Sequence, residues 1–281
     1  LVLTAERKNM NSFMSWVGGK KNLRDEVLAR FPPYYERYIE VFGGAGWVLF
    51  HKPPGMDFEV YNDFNSNLAN LYRCVRDKPA KLKYKLRYVL DSREDFEYLA
   101  LLHKRGILPR LYDVDRAAKF YQLIRYSYAS GLDSFGSQPH SMWSDFPMID
   151  LAARRLQKVV IENKDFEKLI KQYDRPVSFF YCDPPYFATE NYYKDVGFTA
   201  KDHIRLRDTL LEIKGKFLVS YNDCPEIREI WDKPNIHIEE ISRLNNLAQR
   251  YDAGCQYGEL LISNYDTSER AKAIKQLSLF D

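Results

Sequence analysis

The sequence predicts an α/β fold, a sheet with helices on both faces, opened by a long helical insert. Three observations predict it. Short β-rich runs alternate with stretches of helical periodicity. A glycine loop follows the first of those runs directly. Finally, 120 positions separate Asp63, at the end of the second run, from Asp183, at the end of the next strongly apolar one. One βαβ unit needs only about 30 residues, so something is inserted between them.

Taken in order, residues 38–42 form a short β-rich run that ends at Gly43, Gly44, Ala45 and Gly46. A second strand is expected at Phe58–Asn62 and ends at Asp63. A helix follows behind Asn65 or Ser66 as cap, with Leu68, Leu71, Tyr72 and Val75 in the i, i+3, i+4, i+7 rhythm. Residues 73–150 are Tyr-rich and helical in pattern, with Ala117, Phe120, Tyr121 and Ile124 sharing one face. Residues 126–136, rich in Ser, Tyr and Gly, suit a hairpin or loop. The run 177–182 is continuously apolar, as in a strand covered on both faces, and 216–221 repeats the theme after a helix near 203–213. Two last strands are expected at 236–241 and 259–264, joined by a long polar loop.

Composition excludes several classes. With 45% hydrophobic and 29% charged residues the chain is globular rather than disordered or fibrous. No apolar run reaches the roughly 18–20 residues of a membrane helix, and the first residues are too polar for a secretory signal. Cys74, Cys182, Cys224 and Cys255 are scattered, form no CxxC pair and have no histidine cluster beside them, so reduced thiols and no metal site are expected. The cytoplasm follows as the expected compartment. The net charge is only +3, but residues 73–125 carry 14 basic against 7 acidic residues. That stretch is the footprint expected where phosphates are contacted. A solvated helical face is the plainer reading.

The glycine loop lets the backbone turn tightly and approach a ligand, and Asp63 stands where an acid accepts hydrogen bonds from ribose hydroxyls. The G-x-G-x-x-G fingerprint is incomplete, because Leu49 takes its third glycine position. That glycine serves pyrophosphate sites, so the loop leans toward a nucleoside cofactor without phosphates, S-adenosylmethionine, over NAD.

Asp183, Pro184, Pro185 and Tyr186 form the strongest motif. An adenine amino nitrogen is a poor nucleophile because its lone pair is delocalised into the ring. Two acceptors, one for each N–H, would pull it toward tetrahedral geometry. The Asp183 carboxylate is one and the Pro184 carbonyl a natural second, while two prolines stiffen the segment and add no donor. Tyr186 offers a face for stacking a base, worth about 1–3 kcal/mol. A base edge inside a duplex is out of reach for this chemistry, so the base must be flipped into a pocket. A strand ending in an ordinary turn is the alternative.

With these residues in hand, the chain resembles the Dam-like, D12-class family of N6-adenine DNA methyltransferases, from Phe13 to about Tyr265 and in that family's motif order. The resemblance implies a Rossmann-like class I methyltransferase fold with an inserted, mainly helical DNA-recognition domain. Residues 1–70 and 154–265 would form the S-adenosylmethionine-binding catalytic domain, 71–153 the insert, and 266–281 a linker and tail. It implies Trp16 and Lys20 at the cofactor, in Ser15-Trp16-Val17-Gly18-Gly19-Lys20. It likewise implies cofactor contacts from Glu40, Phe42, Gly44 and Gly46 of the glycine motif, Asp63 of the acidic one, Asp165 and Phe166, and Asp183. The segment Ser220-Tyr221-Asn222-Asp223 and the closing Glu259-Leu260-Leu261-Ile262-Ser263-Asn264 also fit. Arg125, Tyr126 and Ser127 would reach bases or phosphates of double-stranded DNA. The Asn-rich core often found there is replaced by Ser and Tyr, so no target sequence follows.

Residues 276–280 (Gln276, Leu277, Ser278, Leu279, Phe280), after a polar linker, resemble the short peptide by which bacterial replication and repair proteins dock on the sliding clamp. The loop 245–257, with Arg250, is a candidate to lie along the DNA backbone. Three rivals stand beside the main reading. A ribosomal-RNA guanine methyltransferase generally lacks the long insert. A cytosine N4 enzyme more typically has Ser in place of Asp183. A non-catalytic DNA-binding or clamp-associated module would have kept the fold alone.

Overall fold

A computed structural model describes residues 10–136, 138–187, 197–244 and 256–270. Its strands are β1 (Arg37–Glu40), β2 (Phe58–Asn62), β3 (Val159–Glu162), β4 (Ser178–Cys182), β5 (Lys216–Asn222), β6 (His237–Leu244) and β7 (Gln256–Ser263). They form one sheet in the order β3-β2-β1-β4-β5-β7-β6. The helices are α1 (Arg24–Ala29), α2 (Trp47–His51), α3 (Ser66–Asp77), α4 (Pro79–Leu86) and α5 (Arg93–Lys104) in the first half. In the second half come α6 (Asp113–Tyr126), α7 (Phe146–Leu156), α8 (Phe166–Tyr173), α9 (Ala200–Leu211) and α10 (Pro225–Trp231). The expected α/β class, a Rossmann-like methyltransferase fold, is the one observed. No helix among the described residues is long and apolar enough to cross a membrane, and no cluster there is built to hold a metal.

The chain divides into two compact units. One holds residues 1–19, 43–55 and 61–163; the other holds 20–42, 56–60 and 164–281. In the second unit β1 and β5 flank β4 in parallel, with Ile39 opposite Phe180 and Tyr181 opposite Leu218. Every residue of β4 is buried, as its unbroken apolar run requires of a strand covered on both faces. Between β1 and β4 the strand order reverses direction, and α/β sheets bind their ligands beyond the strand ends at such a point. The last two strands pair antiparallel from His237↔Ser263 to Leu244↔Gln256. They run longer than their apolar patterns suggest, because main-chain pairing continues where the side chains turn polar.

The first unit is built on α3 and α6. Asn65 caps α3 by accepting from the Asn67 and Leu68 amides at 2.9 and 3.4 Å. The periodic Leu68, Leu71, Tyr72 and Val75 are all fully buried, as is the Ala117, Phe120, Tyr121 and Ile124 face of α6. Each large apolar side chain so buried contributes about 1.5–3 kcal/mol before the entropy cost of ordering it. The segment expected as a hairpin or loop is a loop closed by a single bridge, Ser127↔Phe135. Three residues without glycine's freedom, Ala129, Ser130 and Leu132, take left-handed backbone there, which interrupts a regular ladder. Cys74, Cys182 and Cys224 are free thiols; Cys255 lies outside the described residues.

Candidate active site

In the second unit the chain leaves β4 through Asp183, Pro184, Pro185 and Tyr186, with both prolines buried. Two side chains donate to the Asp183 carboxylate, and both use the same oxygen. Lys20 Nζ is 2.6 Å from Oδ1, and the Ser220 hydroxyl, from β5, donates to Oδ1 at 2.9 Å. Among the described residues this leaves Oδ2 as the open acceptor. Burial raises the Asp183 carboxyl above its ordinary value, and the Lys20 ammonium opposes that rise. Lys20, itself only 4% exposed, also donates to the Tyr186 hydroxyl at 2.5 Å. Tyr186 in turn donates to Glu259 on β7.

Beside the end of β1, Phe42, Phe166 and Phe198 form a triangle with ring centroids 5.7–6.0 Å apart. Phe42 is half-buried and Phe166 buried. Asp165 caps α8, accepting from the Glu167 amide at 3.1 Å. Arg205, on α9, ties this corner together. It holds Asp165 through two bonds of 3.0 and 2.9 Å while its guanidinium lies 4.0 Å from the Phe166 ring centre. Burial would raise the Asp165 carboxyl, but Arg205 outweighs it and holds the group below its ordinary value. Glu40 is buried and accepts from the Tyr38 hydroxyl at 2.6 Å.

The first unit contains the glycine loop. Gly44 and Gly46 have φ of +49° and +64°, a left-handed conformation that suits glycine. Asp63 closes the loop: its Oδ2 accepts from the Gly44 amide at 2.9 Å and its Oδ1 from the Asn65 amide at 2.7 Å. Burial pushes the Asp63 carboxyl up to about 6, and these two bonds restrain it. A Cβ on Gly44 would sit 3.1 Å from the half-buried Trp16 ring, so the loop and Trp16 form a narrow cradle. Trp16 also leans on Phe120, 5.9 Å between centroids.

Arg125, Tyr126 and Ser127 are not brought to the exposed surface. The Arg125 guanidinium is paired with Asp145 at 2.9 Å and bonded to His140 at 3.1 Å. Tyr126 is 3% and Ser127 9% exposed, whereas the neighbouring Tyr128 is 60% exposed. Two partners escaped sequence reading. Arg205 sits in an ordinary helix 40 residues from Asp165, with no local sign of its role. Glu259 left a faint one: a carboxylate directly before the apolar run Leu260, Leu261 and Ile262 within β7. The loop 245–257 lies outside the described residues apart from its last two, and residues 276–280 lie wholly outside them.

Comparison with known proteins supplies the family. The model of the D12 class N6 adenine-specific DNA methyltransferase family matches residues 16–246. The type II methyltransferase M1.LlaDCHI of Lactococcus lactis subsp. cremoris is 29% identical, covering 94% of this chain and 99% of its own. The DNA adenine methylase of Escherichia coli K12 is 26% identical, covering 84% and 89% respectively. That of Haemophilus influenzae is 27% identical over 78% and 82%.

Proposed function

Because the chain belongs to the D12 class N6 adenine-specific DNA methyltransferase family, we propose that it methylates adenine in duplex DNA from S-adenosylmethionine. When bound, that cofactor supplies a methyl group already activated on a sulfonium. The chain's own task is then to hold the base and sharpen its amino nitrogen. The observation that carries the reading is the asymmetry at Asp183: Lys20 and Ser220 occupy Oδ1, so Oδ2 is the acceptor for one amino hydrogen of adenine. The Pro184 carbonyl takes the other, Pro185 keeps the segment stiff, and Tyr186 stacks on the flipped base.

The residues fit a nucleoside cofactor. Gly44 and Gly46 bring backbone within reach of a ligand beside Trp16, and Asp63 retains a lone pair on each oxygen for ribose hydroxyls. Phe42 and Phe166 offer apolar faces for an adenine, with Asp165 at their edge. Lys20, Glu40 and Asp183 complete the proposed set of cofactor contacts. Residues 1–70 and 154–265 act as the catalytic domain and 71–153 as the recognition insert. In that insert the basic stretch meets phosphates. Arg125, Tyr126 and Ser127 serve recognition by framing the loop that presents Tyr128, or by Arg125 exchanging Asp145 for a phosphate. The enzyme works on DNA in the cytoplasm.

Transfer of labelled methyl from S-adenosylmethionine to unmethylated genomic DNA, with nucleoside analysis, tests the reading. N6-methyladenine that vanishes in Asp183→Ala is the expected result; label in RNA alone, or none, would refute it. We also propose that residues 276–280 dock on a bacterial sliding clamp. A synthetic peptide of the tail should bind a purified clamp, and silence at high micromolar concentration would remove that partner.

A further inference from the structure

Strand β7 brings a second carboxylate to the site. Glu259 is 1% exposed, at the head of Leu260, Leu261 and Ile262, which are fully buried. It pairs with Asn222 of β5, the strand that also supplies Ser220. A carboxylate is costly to bury unless hydrogen bonds compensate it, and Glu259 Oε2 accepts the Tyr186 hydroxyl proton.

The direction of that bond has a consequence for Asp183. An ammonium only donates, and Lys20 donates both to Asp183 Oδ1 at 2.6 Å and to the Tyr186 hydroxyl oxygen at 2.5 Å. The Tyr186 proton therefore points away from Lys20, and Glu259 receives it. The chain runs one way, from Lys20 through Tyr186 to Glu259. We infer that Glu259 is a positioning residue for methyl transfer. By taking the Tyr186 proton it keeps that hydroxyl's lone pair toward Lys20, which holds the ammonium on Asp183 Oδ1 and reserves Oδ2 for the adenine amino group. The same bond fixes the plane of the Tyr186 ring against the base. Glu259 touches neither reacting atom, and its role rests on the adenine N6 reading given above.

The test is single-turnover methyl transfer by Glu259→Gln, Tyr186→Phe and the double variant, beside the dissociation constant for S-adenosylmethionine. Each single change should slow transfer about tenfold, the size of one charge-assisted hydrogen bond. Cofactor affinity should stay within about twofold, separating positioning from loss of the pocket. The double variant should be no slower than the slower single one, because the two residues act through one bond. Losses that multiply to about a hundredfold, or Glu259→Gln at the wild-type rate, would overturn the inference. If Glu259→Gln does not fold, Tyr186→Phe decides alone: it keeps the ring and removes only the link, so a wild-type rate refutes the chain. Wild-type protein that makes no N6-methyladenine overturns both readings, whereas an active wild type matched by its variants overturns only this one.

Discussion

Asp63 and Asp183 each follow directly on a strand, β2 and β4, and burial raises both carboxyls, yet their partners are of different kinds. Asp63 receives backbone amides, one on each oxygen, from Gly44 and Asn65. Asp183 receives side chains, Lys20 and Ser220, and both on one oxygen. The first arrangement is a latch: it satisfies loop amides and holds left-handed Gly44 in place. The second is a poised acceptor, with a cation to favour its charged form and one oxygen held open. On the function proposed above, partner type, rather than residue type or burial, distinguishes the carboxylate that braces the glycine loop from the one that would receive the base.

Removing Asp183 should have the largest effect. Asp183→Ala is expected to lower the methyl-transfer rate by roughly 10²- to 10³-fold, the loss typical of one preorganised group at a reacting centre. Thermal stability with and without S-adenosylmethionine should show a folded protein. A change confined to KM, with kcat kept, would make Asp183 a second latch and erase the contrast.

Lys20→Met should act next in size, through pH. Lys20 opposes the rise that burial imposes on Asp183, so its loss should raise that carboxyl further. Only the ionised acceptor serves, so the acidic limb of the kcat/KM profile should move to higher pH, with activity partly recovered in alkaline buffer. An acidic limb that stays in place would mean that Lys20 does not tune Asp183.

The readability of the sequence follows the same division between local and distant partners. Features governed by neighbours along the chain were legible: the β2 bounds, the Asn65 cap, the buried faces of α3 and α6, and the turn after β4. Each rests on periodicity or backbone chemistry within a few residues. The partners of the acidic groups were not legible, because Arg205 reaches Asp165 across 40 positions and Glu259 reaches Tyr186 across 73. Arg125 is a further case: the family resemblance implies that it reaches bases or phosphates, and its ion pair with Asp145, 20 residues on, has no local sign in the sequence. A buried counter-ion at that distance leaves no periodic trace.

The subtlest test concerns Asp63 itself. Its folded-state carboxyl is pushed up to about 6, above the ordinary 3.8, with backbone amides but, among the described residues, no cation in contact to restrain it. Between about pH 4 and 6 the folded protein therefore holds a proton that the unfolded chain releases. Stability contributed by this group is fully present below the unfolded value and is lost as pH rises through the folded one. Asn has no such proton, so Asp63→Asn should be penalised more at pH 4.5 than at pH 7. After allowance for solvent at this half-buried site, the gap should be about 1 kcal/mol. Urea unfolding of both proteins at the two pH values measures it, and groups common to both cancel in the difference. A penalty that instead grows toward pH 7 would mean that folding brings Asp63 a favourable charge partner, as Lys20 is for Asp183, and the two carboxylates would then be of one kind.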